Sequence, residues 1–281
     1  MSIGDDKRPA GPIRWPRVPR PGTEAATAGD GRRRASLLDL DDDLAQECHP
    51  ATRATARVVA TVRLAEAEVG PCDLEAWFAD VAPGPGLLVL DGLVAINTSV
   101  GARAACELVG GGDLLQHVEP RTDELVGQTE TCQALSPTTF ALLDEDFAGR
   151  VGPFPQVGMA LLRRAARRAS EAETLRAIAC HPRLEVRLVL LLWHLASRWG
   201  RVVPGGIRLT MPLTHRLLGL LVAAERPSVS HAMHRLAQTD LIVGAAGDLL
   251  LNGSLESHFA ALREPLTDQI HHSRLPWPSR T

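Results

Sequence analysis

The chain has 281 residues, and at roughly 100–200 residues per domain that length accommodates two domains. Hydrophobic residues make up 45% and charged residues 22%, close to the globular average, which excludes a wholly disordered or collagen-like chain; no apolar run reaches the ~18 residues of a membrane helix. The net charge of −3 hides unlike parts: residues 1–34 carry +4, residues 35–150 carry −14 and residues 151–281 carry +7, so a polyanionic partner would meet the C-terminal part, although charge alone fits a solvated surface equally well.

Residues 1–33 are rich in Pro, Gly and Arg and lack both apolar periodicity and a signal-peptide core. They read as a flexible tail, either a plain leader or a weak contact for DNA phosphates. Cys48, Cys72, Cys106, Cys132 and Cys180 lie far apart without C-x-x-C spacing; the expectation is a reducing cytoplasm, no disulfides and no cysteine-built metal site. From Ala35 to about Gln133 short apolar segments alternate with Gly, Pro and Asp, which predicts strands. Val58–Leu64 is one, and Leu87–Leu90 and Leu93–Ile96 are two more, joined as a hairpin by Asp91-Gly92. Gly110-Gly111-Gly112 reads as a β-turn, since neither a following Lys-Ser/Thr nor GxGxxG spacing supports a phosphate cradle.

Between Val157 and Ala179 the period becomes helical. Met159, Leu161, Leu162, Ala165, Ala166, Ala169 and Ala172 form one broad side, with Arg163, Arg164, Arg167 and Arg168 in the polar remainder. A second, strongly apolar helix is predicted from Leu184 to Trp199, ending at Gly200, and Val202–Leu209 is a predicted hairpin turning on Pro204-Gly205-Gly206. Residues beyond about 267 read as loose.

Residues 213–242 predict two short helices joined by a tight turn. Thr214 is placed to cap the first, and Pro227 stands in the tolerant first turn of the second. Val229, Met233 and Leu236 should pack on Leu217, Leu218 and Leu221, turning His231 and His234 outward beside Arg226, Ser230 and Arg235. Such a small, cationic face suits a helix entering a major groove; an ordinary helical hairpin fits the pattern too. Leu241–Val243 and Leu249–Leu251, joined by the turn Gly244–Asp248, then make a β-hairpin, the wing. A metal-dependent jelly-roll enzyme is disfavoured, because His49 and His117 are the only histidines before residue 180. No nucleophile elbow or Ser/His/Asp grouping stands out, so no catalytic residue, metal site or cofactor is assigned.

On these motifs the sequence resembles the CRP/FNR family of bacterial transcription regulators. Glu107–Leu115 is similar to part of that family's β-roll, 157–179 occupies the place of its dimerisation helix, and 184–255 resembles its winged helix-turn-helix. In the family pattern an Arg opens the recognition helix, followed by a short hydroxyl residue, Val, Ser or Gly, and a second Arg; here these fall on Arg226, Ser228, Val229, Ser230 and His231. The resemblance implies an α+β chain divided into a tail (1–33), a jelly-roll-like β-roll (34–155), a dimerisation helix (156–180), a DNA-binding domain (181–267) and a second tail (268–281). It further implies a cytoplasmic homodimer on a palindromic double-stranded operator, with RNA polymerase as a further candidate partner. Thr214, His215, Arg216, Arg226, Ser228, Ser230, His231, His234 and Arg235 are the candidate DNA-binding residues. Pro227 and His231 stand where the cyclic-AMP type carries an acid and an Arg. The stretch from Leu114 to Thr122 also lacks that type's phosphate cassette, so the expected effector is not cyclic AMP. The alternative is a constitutive DNA-binding or scaffold protein whose β-roll is ligand-free and only packs the dimer.

Overall fold

The structure, a computed structural model, describes residues 33–117, 126–245 and 247–263. The N-terminal part runs β1 (Arg34–Ser36), α1 (Leu37–Leu40), α2 (Asp42–Glu47), α3 (Pro50–Val59), β2 (Thr61–Ala67), β3 (Gly70–Cys72), α4 (Leu74–Val81), β4 (Gly86–Asp91), β5 (Leu93–Val100), β6 (Arg103–Gly110), β7 (Leu114–Leu115), β8 (Gln128–Ala134), β9 (Thr138–Leu143) and α5 (Glu145–Val151). The long helix α6 (Pro155–Ala179) follows. The C-terminal part contains α7 (Leu184–Trp199), β10 (Arg201–Val203), β11 (Gly206–Leu209), α8 (His215–Leu221), α9 (Arg226–Ala237), β12 (Ile242–Ala245), β13 (Asp248–Asn252) and α10 (Leu255–Leu262).

Two antiparallel sheets build the N-terminal part, in the orders β1-β2-β9-β4-β7 and β3-β8-β5-β6. Their facing sides share one core in which Leu87, Val89, Phe140 and Leu142 meet Val94, Ile96, Val109 and Ala134. The outer side of the first sheet, through Leu64, Leu88 and Ala141, packs on α1, α2, α5 and α6. The outer side of the second, through Leu93, Ala95, Cys106 and Leu108, joins the core of the C-terminal helices. Leu87 and Leu88 are thus both fully buried, because both faces of the sheet are covered.

That layering corrects the predicted hairpin. β4 pairs with β7 and β9, whereas β5 pairs with β6 and β8, so Asp91-Gly92 carries the chain from one sheet to the other. A Cβ on Gly92, whose φ is +98°, would lie 2.5 Å from the Pro137 carbonyl oxygen, and the close approach rather than a two-residue turn accounts for the glycine. The predicted strand at 58–64 is corrected as well: Val58 and Val59 end α3, which starts on Pro50 with the His49 ring accepting from the Ala51 amide, and the strand begins at Thr61. Cys72 and Cys132 are disulfide-bonded, against the expectation of none. They are directly opposed residues of β3 and β8 with Cα atoms 5.3 Å apart, within the span a disulfide bridges.

The helix expected at 157–179 is present as α6, but its arginines are not simply solvated. Arg164 is buried, its Nη2 donating to Asp41 Oδ1 at 2.8 Å and its Nη1 to the other carboxylate oxygen. Arg168 binds Glu107 with two hydrogen bonds of 2.9 Å, and Arg167 donates to the Gly112 carbonyl at 3.1 Å. Met159 and Leu162, on the expected apolar side, are 50% and 59% exposed. The turn at Gly110–Gly112 is as expected, with Gly112 at φ +88°. Asp113 behind it is fully buried, its Oδ2 accepting from the Gly110 amide at 2.8 Å and from Arg198 of α7. No helix among the described residues is long and apolar enough to cross a membrane. The two expected tails, apart from Arg33, and most of the stretch after Leu115 that bears on a phosphate cassette lie outside the described residues.

Candidate nucleic-acid interface

α7 is apolar over most of its circumference, and Val186, Leu188, Val189, Leu191, Leu192, Leu195 and Ala196 are all buried. α9 packs on it, and α8 lies against α9 and β6. Thr214 Oγ1 accepts from the Leu217 amide at 3.2 Å and so starts α8. The turn after α8 is tight: the Ala224 amide donates to the Gly219 carbonyl at 2.9 Å, and Ala223 takes a φ of +53°. A Cβ on Gly219 would stand 2.5 Å from the Ala224 carbonyl oxygen, so the turn closes only over a glycine.

α9 begins at Arg226 with Pro227 in its first turn, where the missing amide costs nothing. Val229, Ala232, Met233 and Leu236 are buried in one cluster with Leu217, Leu218 and Leu221, as the spacing predicts. Arg226, Pro227, Ser228, His231 and His234 are exposed along the opposite side, and Arg216 is exposed on α8. The geometry therefore leaves one convex, cationic helix face open.

Other candidate residues serve the motif itself. His215 Nδ1 and Ser230 Oγ lie 2.9 Å apart and tie α8 to α9. Burial, reinforced by the nearby Arg226 charge, pulls the His215 imidazole below its ordinary value and so disfavours its charged form. Arg235 turns back to α7, its Nε donating to Glu185 Oε1 at 2.9 Å and its Nη2 to the same oxygen. His234 reaches Gln238 at 3.3 Å along the helix.

β10 and β11 form the predicted hairpin, with Gly205 at φ +93°. β12 and β13 pair as expected and complete a four-stranded sheet in the order β10-β11-β13-β12. The β12–β13 segment has no Lys or Arg, and its one charged residue, Asp248, lies 3.5 Å from Arg208. One ion pair on this side of the molecule has no counterpart in the sequence pattern. Arg103, at the start of β6, donates from Nη1 to Glu225 Oε1 at 3.1 Å; the two are 122 residues apart, and no local pattern announces such a pair.

No protein-family model and no curated protein matches the sequence. Among solved structures, a CooA mutant from Carboxydothermus hydrogenoformans is similar, with a TM-score of 0.53 and 16% identity over 81% of this chain and 95% of that one. A cyclic nucleotide-binding domain containing protein from Listeria monocytogenes EGD-e gives a TM-score of 0.55 at 13% identity, covering 67% of this chain and 88% of that one. The c-di-GMP responsive global regulator CLP from Xanthomonas campestris gives 0.52 at 13% identity, over 76% and 100% respectively. At such identities the likeness is one of fold.

Proposed function

We propose that this chain is a sequence-specific DNA-binding transcription regulator of the CRP/FNR type, with α9 as the recognition helix of a winged helix-turn-helix and the two facing sheets as a β-roll. The observation that carries the reading is the division of α9 into a buried face of Val229, Met233 and Leu236 and an exposed face of Arg226, Ser228 and His231. A short helix held by its apolar side on a rigid floor, with small and cationic groups outward, matches what the major groove admits. The fold likeness to solved regulators supports the same class.

The reading includes a homodimer through α6. Its exposed Met159, Leu162, Ala166 and Ala169 recur at spacings of three and four on one side, as residues that pack against a partner helix do. Two copies of α9 would then read a palindrome. Selection of duplexes from a randomised pool tests the reading: the wild type should enrich an inverted repeat, and Leu162→Glu should give monomers in light scattering and lose tight binding to that repeat. A wild type that is monomeric at micromolar concentration and still binds the repeat tightly would remove the dimer from the proposal.

The second reading, a β-roll that packs the dimer without an effector, finds support in the apolar cluster shared by the two sheets and α4, where the Trp77 and Phe140 rings lie 5.0 Å apart. Melting against a panel of nucleotides and metabolites separates the two, since a ligand at about 100 times its dissociation constant stabilises by about 2.7 kcal/mol. Cyclic AMP is not expected to be the compound that does so.

A further inference from the structure

The N-terminal sheets reach the proposed DNA face at the tip of the β5–β6 hairpin. β5 and β6 pair from Leu93 opposite Gly110 out to Val100 opposite Arg103, and the tip turns on Gly101, whose φ is +58°. Further along β6, Cys106 and Leu108 share a core with Leu217 and Leu221 of α8, so the hairpin is seated against the helix pair rather than free. Its tip brings Arg103 to Glu225, the residue immediately before α9, with 3.1 Å between Nη1 and Oε1.

This ion pair is a poor fastener. The side chains of Arg103 and Glu225 are 85% and 77% exposed, and pairs of that kind contribute only about 0–1 kcal/mol. The two parts are already joined by the apolar cluster and by the buried Asp113 carboxylate, which accepts from Arg198 of α7. The pair instead changes the charge at the start of α9. A helix N-terminus attracts phosphate, and Glu225 opposes that attraction; Arg103 cancels the acid and brings further N–H donors to the same place. An arginine has five N–H donors in a planar fork, so binding one carboxylate oxygen leaves several for a second oxyanion. A helix lodged in a major groove about 12 Å wide has a phosphate strand on either side, and a cation within one side chain of its N-terminus faces such a strand.

We propose that Arg103 is a DNA-phosphate contact supplied by the N-terminal sheets to the surface that α9 presents. The inference rests on the DNA-binding reading above. Because phosphates carry no sequence information, Arg103 adds affinity and register, while Arg226 and its neighbours discriminate between bases.

The experiment follows binding by fluorescence anisotropy across a salt series. It compares the wild type, Arg103→Ala and Arg103→Lys, each also in a Glu225→Gln background. The probes are a duplex selected from the randomised pool and an unrelated duplex of the same length. Arg103→Ala should weaken both duplexes by the same factor and lower the slope of log K against log salt by about 0.9 per chain; Arg103→Lys should keep the slope, and the loss should persist beside Glu225→Gln. An unchanged slope, tighter binding, or a loss that disappears beside Glu225→Gln would overturn the contact, the last because Arg103 would then only mask the acid. A wild type that binds no duplex overturns the DNA-binding reading itself. If the wild type binds and Arg226→Ala loses its base preference while Arg103→Ala keeps the full slope, this inference alone fails.

Discussion

α6 and α9 are drawn from similar residues, arginines interspersed with Ala, Leu and Met, yet they differ in what they bury: α9 buries apolar residues alone, whereas α6 buries Arg164 beside Val157, Ala160, Leu161 and Ile178. On α9 the apolar Val229, Met233 and Leu236 point into the core, with Arg226 and His231 outside. On α6, Arg164 is buried against Asp41 and Arg168 is bound to Glu107, while Met159 and Leu162 stand exposed. Periodicity identifies a stripe, but it does not say whether the chain itself or a second molecule covers that stripe. An arginine goes inward when a carboxylate waits there, and the partners of Arg164 and Arg168 lie 123 and 61 residues away.

The largest expected effect follows from that inward turn. Arg164→Ala leaves the Asp41 carboxylate with its main partner gone, in a site where both side chains are only 11% exposed. Breaking a buried pair from one side costs about 3–5 kcal/mol, to be read as a shift of the urea midpoint at unchanged m-value. Replacing both residues together, Asp41→Asn with Arg164→Met, should cost far less, since no charge is then stranded and the introduced side-chain amide can still cap α2. A single variant within about 0.5 kcal/mol of the wild type, the range of ordinary surface changes, would mean that Arg164 is solvated after all and that α6 and α9 do not differ in this respect.

The outward face of α9 is probed by Arg226→Ala, which should cost about 1–3 kcal/mol of discrimination at one symmetric base position and little elsewhere. Arg216→Ala on α8 should instead weaken all duplexes alike and reduce the salt slope by about 0.9 for each phosphate that is no longer neutralised. Both are measured by competition among randomised duplexes. The reverse pattern would exchange the roles of the two helices at the DNA.

The C-terminal part is the more legible in the sequence. The Thr214 cap, the glycine-closed turn and the 229/233/236 spacing are local signals, and each lies within one or two turns of the chain. The N-terminal part reads as strands from Ala35 to about Gln133, and α1 to α4 escape that reading because they are short, with at most ten residues each. A signal for such short helices does exist: Asp41, Asp73 and Asp144 each precede a helix and accept the amide of the third residue on, at Leu44, Ala76 and Phe147, the pattern of an N-cap with acids in the first turn. The Cys72–Cys132 bond, the change of sheet at Gly92 and the Arg103–Glu225 pair have no such local signal. Each depends on which distant strand lies alongside, which composition and period leave open.

The smallest expected effect lies where the comparison blurs, at Arg235, an α9 arginine that behaves like those of α6 and turns back onto Glu185. The guanidinium is 57% exposed, so Arg235→Ala should lower stability by no more than about 1 kcal/mol and leave base preference intact at every operator position. Burial raises the Glu185 carboxyl, but its own backbone amide, the Arg235 hydrogen bond and the Arg235 and Arg183 charges outweigh it and hold the group below its usual value. The sign of the pH dependence follows: a carboxylate depressed on folding contributes stability that is complete above its unfolded value of about 4.3 and fades as the pH falls below that through the folded value. The stability difference between wild type and Arg235→Ala should therefore be constant from neutral pH to about pH 5 and narrow in more acidic solution. A variant that instead flattens preference at one base pair, with its stability difference independent of pH, would place Arg235 in the groove beside Arg226 and return the whole of α9 to the outward-facing kind.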